Sequence, residues 1–186
     1  MTISYQGLTL EEFLKLPEEE PALEFEDGVV TQKVSPKPPH GRLQYKFAEH
    51  LDRFGEPARL GIVFTETRVT FGGRSRVPDL CFYTWARIPR SPSGEVANDF
   101  FDPPDITVEI VSPGQSVTAL FRRCLWYVEQ GVGIALLVDP GDRSVIAFRP
   151  GSTPKALEGS DRIDLDDILP GFELTVQELF DSLRVG

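Results

Sequence analysis

Glu109 lies within Ile106-Thr107-Val108-Glu109-Ile110-Val111, a run with the composition of a strand inside a sheet. Alternation puts Val108 and Ile110 on one face and Thr107, Glu109 and Val111 on the other. A carboxylate at such a place costs several kcal/mol unless it is paired or bound to a cation. Glu109 therefore meets a neighbouring arginine, an open face of the sheet, or a metal. Asp79 is the second residue of this kind, between Pro78 and the apolar run Leu80-Cys81-Phe82-Tyr83. Proline is confined to the first residue or the edge of a strand, so Pro78 pins Asp79 where a sheet begins or bends, although Pro-Asp is also a common turn dipeptide. Two carboxylates on neighbouring strands suit a hard cation such as Mg²⁺, which takes oxygen ligands, keeps several waters and binds phosphate. Such a metal lowers the pKa of its water and offsets charge on a phosphate under attack.

The elements that must position these residues follow from patterning. Thr9 with Glu11 and Glu12 marks a helix start, and Leu10, Phe13, Leu14 and Leu16 supply its stripe up to Pro17. Leu23-Glu24-Phe25-Glu26 and Val29-Val30-Thr31-Gln32-Lys33, joined by Asp27-Gly28, form a hairpin. After Pro36, Pro38 and Pro39 comes a helix with Leu43, Phe47 and Leu51 on one face. Residues 62–71 read as one bent or interrupted strand, 77–83 as a second and 106–111 as a third. Residues 87–102 read as a long surface loop with Phe100 and Phe101 exposed. A helix over 116–130, stopped by Gly131, leads into a buried strand over 133–138, which pairs with 145–148; a last helix covers 173–183. The strand–helix–strand unit of 106–138 predicts a right-handed crossover. The whole predicts an α/β fold: a single domain, residues 1–186, with a mixed central β-sheet flanked by helices.

The chain has 186 residues, 40% of them hydrophobic and 26% charged, the composition of a soluble globular protein. Its net charge of −10 excludes a surface coated in positive charge, as non-specific nucleic-acid binding uses, but not a local basic patch. Met1 to Gly7 shows no secretory signal, and the longest apolar run, 131–138, is far below the ~20 residues of a membrane helix. Cys81 and Cys124 lie in apolar segments without disulfide or zinc spacing, which suits a cytoplasmic protein.

Val77-Pro78-Asp79, thirty residues before Glu109, resembles the PD-(D/E)XK nuclease pattern. The chain as a whole resembles the Uma-two restriction-endonuclease-like family of that superfamily. The matching stretches are Leu23 to Gly28, Pro39-His40-Gly41, Arg76 to Asp79 and Pro103 to Pro113, with Tyr127, Gly131-Val132, Val138-Asp139-Pro140 and Leu169-Pro170-Gly171-Phe172. They run in order over residues 8–181.

The resemblance implies a restriction-endonuclease-like core and a Mg²⁺-dependent (or Mn²⁺-dependent) endonuclease that cuts DNA phosphodiesters with a metal-bound water. Asp79 and Glu109 would hold the metal, with Glu24 as a further ligand. His40 and Arg76 would contact the substrate, His40 at the phosphate or the metal's surroundings. The superfamily asks for lysine two positions after the glutamate, where this chain has Val111. The family commonly moves that lysine to the following helix, where this chain has Arg123, an electrostatic stabiliser that cannot act as a base. Arg123→Lys is then the change that would restore activity. Lys37, Arg42, Lys46, Arg74, Arg76, Arg87 and Arg90 would form a phosphate-facing rim, and a homodimer would let two sites cut two strands. The loss of the motif lysine and the negative charge leave a second reading, a degenerate nuclease fold that binds or interacts without cutting. A hydrolase of small phosphate esters is a third.

Overall fold

The two hydrophobic periods of the chain sort the described residues into two sheets and four helices. The computed structural model describes residues 5–185; residues 1–4, part of the stretch read as carrying no secretory signal, and residue 186 lie outside it. The hairpin falls where Asp27-Gly28 predicts it, between β2 (Leu23–Glu26) and β3 (Val29–Gln32), with Asp27 at φ 49° and Gly28 at φ 83°. Two central residues in the left-handed region give a turn whose twist matches the strands it joins. β1 (Tyr5–Gln6) pairs with β3.

The α1 helix (Leu10–Phe13) is closed by a capping box between Thr9 and Glu12, and α2 (Pro38–Gly55) opens on Pro38-Pro39. Next come β4 (Gly61–Thr65), β5 (Val69–Phe71), β6 (Arg74–Arg76), β7 (Leu80–Thr84) and β8 (Ile106–Ile110). The rest of the chain is α3 (Val117–Glu129), β9 (Ile134–Asp139), β10 (Ser144–Phe148), β11 (Lys155–Glu158) and α4 (Val176–Asp181).

The central sheet is mixed, as expected: its order is β11-β10-β9-β8-β7-β4, with β8 and β9 parallel and the other pairs antiparallel. Helix α2 covers one face through Leu43, Phe47 and Leu51, packed with Leu80, Phe82, Ile106, Val108 and Ile110. Helix α3 covers the other through Leu120, Cys124 and Tyr127, packed with Cys81, Tyr83, Ala135 and Leu137. Alternation along β8 is thereby realised, with Val108 and Ile110 toward α2 and Glu109 toward α3.

A second sheet, antiparallel and ordered β1-β3-β2-β6-β5, accompanies the first. It corrects the reading of residues 62–71 as one strand: β4 belongs to the central sheet and β5 to the small one. The chain changes sheets at Glu66, which has φ 48°. A non-glycine residue in that region is strained, which ends the first strand. The short polar strand β6 and the edge strand β11 carry no apolar pattern and escape a reading by hydrophobicity. The 87–102 loop is also corrected in part. Phe100 is buried, edge-on to Phe64 and Tyr83, while Phe101 is exposed. Cys81 and Cys124 are free and buried, and no helix among the described residues is long and apolar enough to cross a membrane.

Candidate active site

Carboxylates, cations and an imidazole converge where the small sheet meets α3 and the ends of β7 and β8. Antiparallel pairing of β7 with β8 ends at Leu80 opposite Val108, one residue short of Asp79 and Glu109. Pro78 offers no N–H to extend the ladder; the Asp79 side chain continues it, its Oδ2 accepting the Ile110 N–H at 2.6 Å. Glu109 is buried, accepts the Tyr127 hydroxyl at 2.7 Å, and lies 3.4 Å from an Arg123 nitrogen. Tyr127 and Arg123 are four apart on α3 and so reach the same carboxylate.

Glu24 comes from β2. Arg123 donates to both its oxygens, at 3.1 and 2.7 Å, the Val77 N–H donates to Oε1 at 2.9 Å, and Arg76 lies 3.4 Å from Oε2. Arg76 also bonds Glu26 and is itself buried. Its guanidinium thus binds carboxylates of its own chain where it lines a cleft with Arg74 and Arg123.

Burial alone would push these carboxyls up, and the partners decide the outcome. At Glu24 the burial effect is outweighed by Arg123, Arg76 and the Val77 N–H, which hold the carboxyl below its usual value. At Asp79 it is outweighed by His40 and Lys33, with the same result. Glu109 goes the other way: burial dominates, Arg123 offsets only part of it, and Asp79 adds to it, so its carboxyl is raised. Two carboxylates held charged beside one held back is the division of roles from which acid–base chemistry is built.

Lys33, Gln44 and Glu66, which sequence reasoning passed over, join His40 to complete the cluster. Lys33, one position beyond β3, places its ammonium 2.8 Å from Asp79 Oδ1 and 2.5 Å from Glu66. Burial would lower this lysine, but Asp79, Glu109 and Glu66 outweigh it and keep it charged. In sequence Lys33 reads only as the polar end of a hairpin. Gln44 on α2 donates to Glu66 at 2.7 Å and to the Asp79 carbonyl at 2.9 Å. His40, in the first turn of α2, sets Nδ1 2.8 Å from Ser112 Oγ and Nε2 3.2 Å from Asp79 Oδ1. The signal for Glu66 was the break it makes in an apolar strand.

A divalent cation fits this donor set. Among the described residues, His40, Glu66 and Asp79 each offer a ligand atom within 4.8 Å of the others. His40 Nε2 is buried without a hydrogen-bond partner, while Asp79 Oδ1, buried beside it, meets the Lys33 ammonium at 2.8 Å. A buried polar atom without a partner is costly, and a divalent cation shared with Asp79 would remove the cost. Glu24 and Glu109 are not members of that group; arginine and tyrosine already engage them.

The rim expected from sequence is mostly engaged. Arg42 donates to the Ser182 carbonyl and Arg90 to the Trp85 carbonyl, Lys46 pairs with Glu49, Arg87 with Asp105, and Arg74 with Glu26 and Asp27. Among the described residues Lys37 is left without such a partner, and it lines a groove of about 510 Å³ beside His40 and Ser112. Arg122, also unpaired among the described residues, lines a cleft of about 320 Å³ with Arg74, Arg76 and Arg123.

The comparisons place this two-sheet fold among nuclease-type cores. The family model described as "Uma2: Putative restriction endonuclease" matches residues 10–177, and the chain belongs to that family. It is similar to a putative nuclease belonging to DUF820 from Anabaena variabilis ATCC 29413, whose crystal structure was determined at 1.96 Å. The two share 35% identity over 96% of this chain and all of that one, with a TM-score of 0.92. No curated protein matches the chain.

Proposed function

We propose that this protein is a divalent-metal-dependent endonuclease acting on DNA phosphodiesters. The observation that carries the reading is Lys33. Its ammonium stands 2.8 Å from Asp79, within the field of Glu109, and so supplies from the small sheet the lysine that the motif lacks at Val111 and at Arg123. Asp79, beside Glu109, would hold the metal, which when bound would supply charge against the phosphate and lower the pKa of the water that attacks it. Lys33 stabilises negative charge on the phosphate as the bond to the leaving oxygen lengthens. Glu109, with its raised carboxyl, is the group of the cluster most able to exchange a proton. Arg123 and Tyr127 orient it, and Glu24 anchors Arg123. A cut in both strands needs two such sites, hence two chains.

Nicking of supercoiled plasmid with Mg²⁺ or Mn²⁺ tests the reading. Cleavage by the wild type, lost in Glu109→Ala and in Lys33→Met, supports it. Absence of cleavage at millimolar Mn²⁺ rejects it, and retained DNA binding in that case would favour the non-cutting alternative.

A further inference from the structure

We propose that His40, Asp79 and Glu66 form a three-ligand cation seat, and that Lys33 is the exchangeable cation occupying it until a divalent ion enters. The inference rests on the metal-dependent reading above and names the ligands and the gate of that site. Asp79 presents Oδ1 to the seat because its other oxygen is fixed by the Ile110 N–H. His40 presents Nε2 because Ser112 holds Nδ1 at 2.8 Å, the outer contact that orients metal-bound histidines. The two atoms lie 3.2 Å apart, without hydrogen-bond alignment, both buried. That separation suits adjacent ligands on one small cation, each about 2.0–2.2 Å from it. Glu66 closes the third side, steered by Gln44.

Lys33 Nζ contacts Asp79 and Glu66 together, two of the three ligands. An ammonium there satisfies the charge of both carboxylates but leaves His40 Nε2 without a hydrogen-bond partner. A divalent cation satisfies all three. A flexible four-carbon stem lets the ammonium withdraw when the ion arrives. Glu66 is half exposed and, with Lys33 and Gln44, lines a cleft of about 360 Å³, which gives the ion its way in. One imidazole with two carboxylates favours a metal that accepts nitrogen, such as Mn²⁺, over Mg²⁺.

Calorimetric titration of the full chain with Mn²⁺ alone, then with Mg²⁺ alone, and without nucleic acid, tests this. The wild type should bind one Mn²⁺, more tightly than Mg²⁺. His40→Gln and Glu66→Gln should each weaken Mn²⁺ by at least about tenfold, and Ser112→Ala by about tenfold. Lys33→Met should tighten Mn²⁺ by about tenfold or more, since the competing charge is gone. Thermal unfolding accompanies each variant; if Lys33→Met does not fold, Glu66→Gln, at a half-exposed position, decides. Absence of Mn²⁺ binding, or unchanged affinity in the His40 and Glu66 variants, overturns the proposal, as does weaker binding by folded Lys33→Met. Binding with this pattern but no plasmid nicking leaves the seat standing and removes the nuclease reading. Nicking with unaltered affinity in the variants does the reverse.

Discussion

Arg123 grips Glu24 across 99 positions of the chain, donating from two guanidinium nitrogens to its two carboxylate oxygens. This contact ties α3 to the small sheet, and the same guanidinium reaches Glu109. Removing it leaves buried Glu24 with only Arg76 and the Val77 N–H, and buried Glu109 with only the Tyr127 hydroxyl. Arg123→Met is expected to destabilise the protein by about 3–5 kcal/mol in denaturant unfolding. Glu24→Gln combined with Arg123→Met should recover part of that loss, and strict additivity of the two changes would contradict the coupling.

Arg123→Lys, the change that would restore the motif on the helix, is not expected to raise cleavage. A single ammonium cannot serve both Glu24 oxygens and Glu109 as the planar fork does. Nicking rates of the two proteins in the same metal make the comparison; a gain in the lysine variant would return Arg123 to the role the motif suggests.

Glu24 and Glu109 should give opposite pH dependences of stability. The Glu24 carboxyl is held below its reference value of 4.5, so its stabilisation is complete above that pH and is lost as the pH falls through the lowered value. Glu109 is raised above 4.5, so the folded protein holds a proton that the unfolded chain releases, and stability falls as the pH rises through that interval. Unfolding free energies measured from acid to neutral pH without metal should show Glu24→Gln losing most relative to wild type at neutral pH. Glu109→Gln should gain relative to wild type over the same range. The same sign for both would contradict the assignment.

DNA binding should depend weakly on salt for a nuclease. Most basic residues proposed for the rim are held by carboxylates or carbonyls of the chain itself, which leaves Lys37 and Arg122 flanking the site. Two phosphate contacts predict a slope of log K against log salt of about −2. Retardation assays at several salt concentrations measure it, and Arg122→Glu should flatten it further.

Local chemistry in the sequence already determined much of this protein. Asp27-Gly28 specified a hairpin because two left-handed residues suit only such a turn, and Glu109 announced itself as a charge in an apolar strand. Pro78 marked Asp79 as the residue where a strand begins. Period and turn chemistry act over a few residues and are visible there. Tertiary structure decided which cations meet which carboxylates. Lys33 ends an ordinary hairpin, and only the placing of the small sheet against β7 and β8 brings its ammonium to Asp79. Arg76 reads as a surface cation until β6 pairs with β2 and turns it onto Glu24 and Glu26. The negative charge of −10 is likewise divided by folding. Glu24, Asp79 and Glu109 are buried against Arg76, Arg123 and Lys33. Coulomb energy depends on separation in space and on burial, and neither is written in the order of residues.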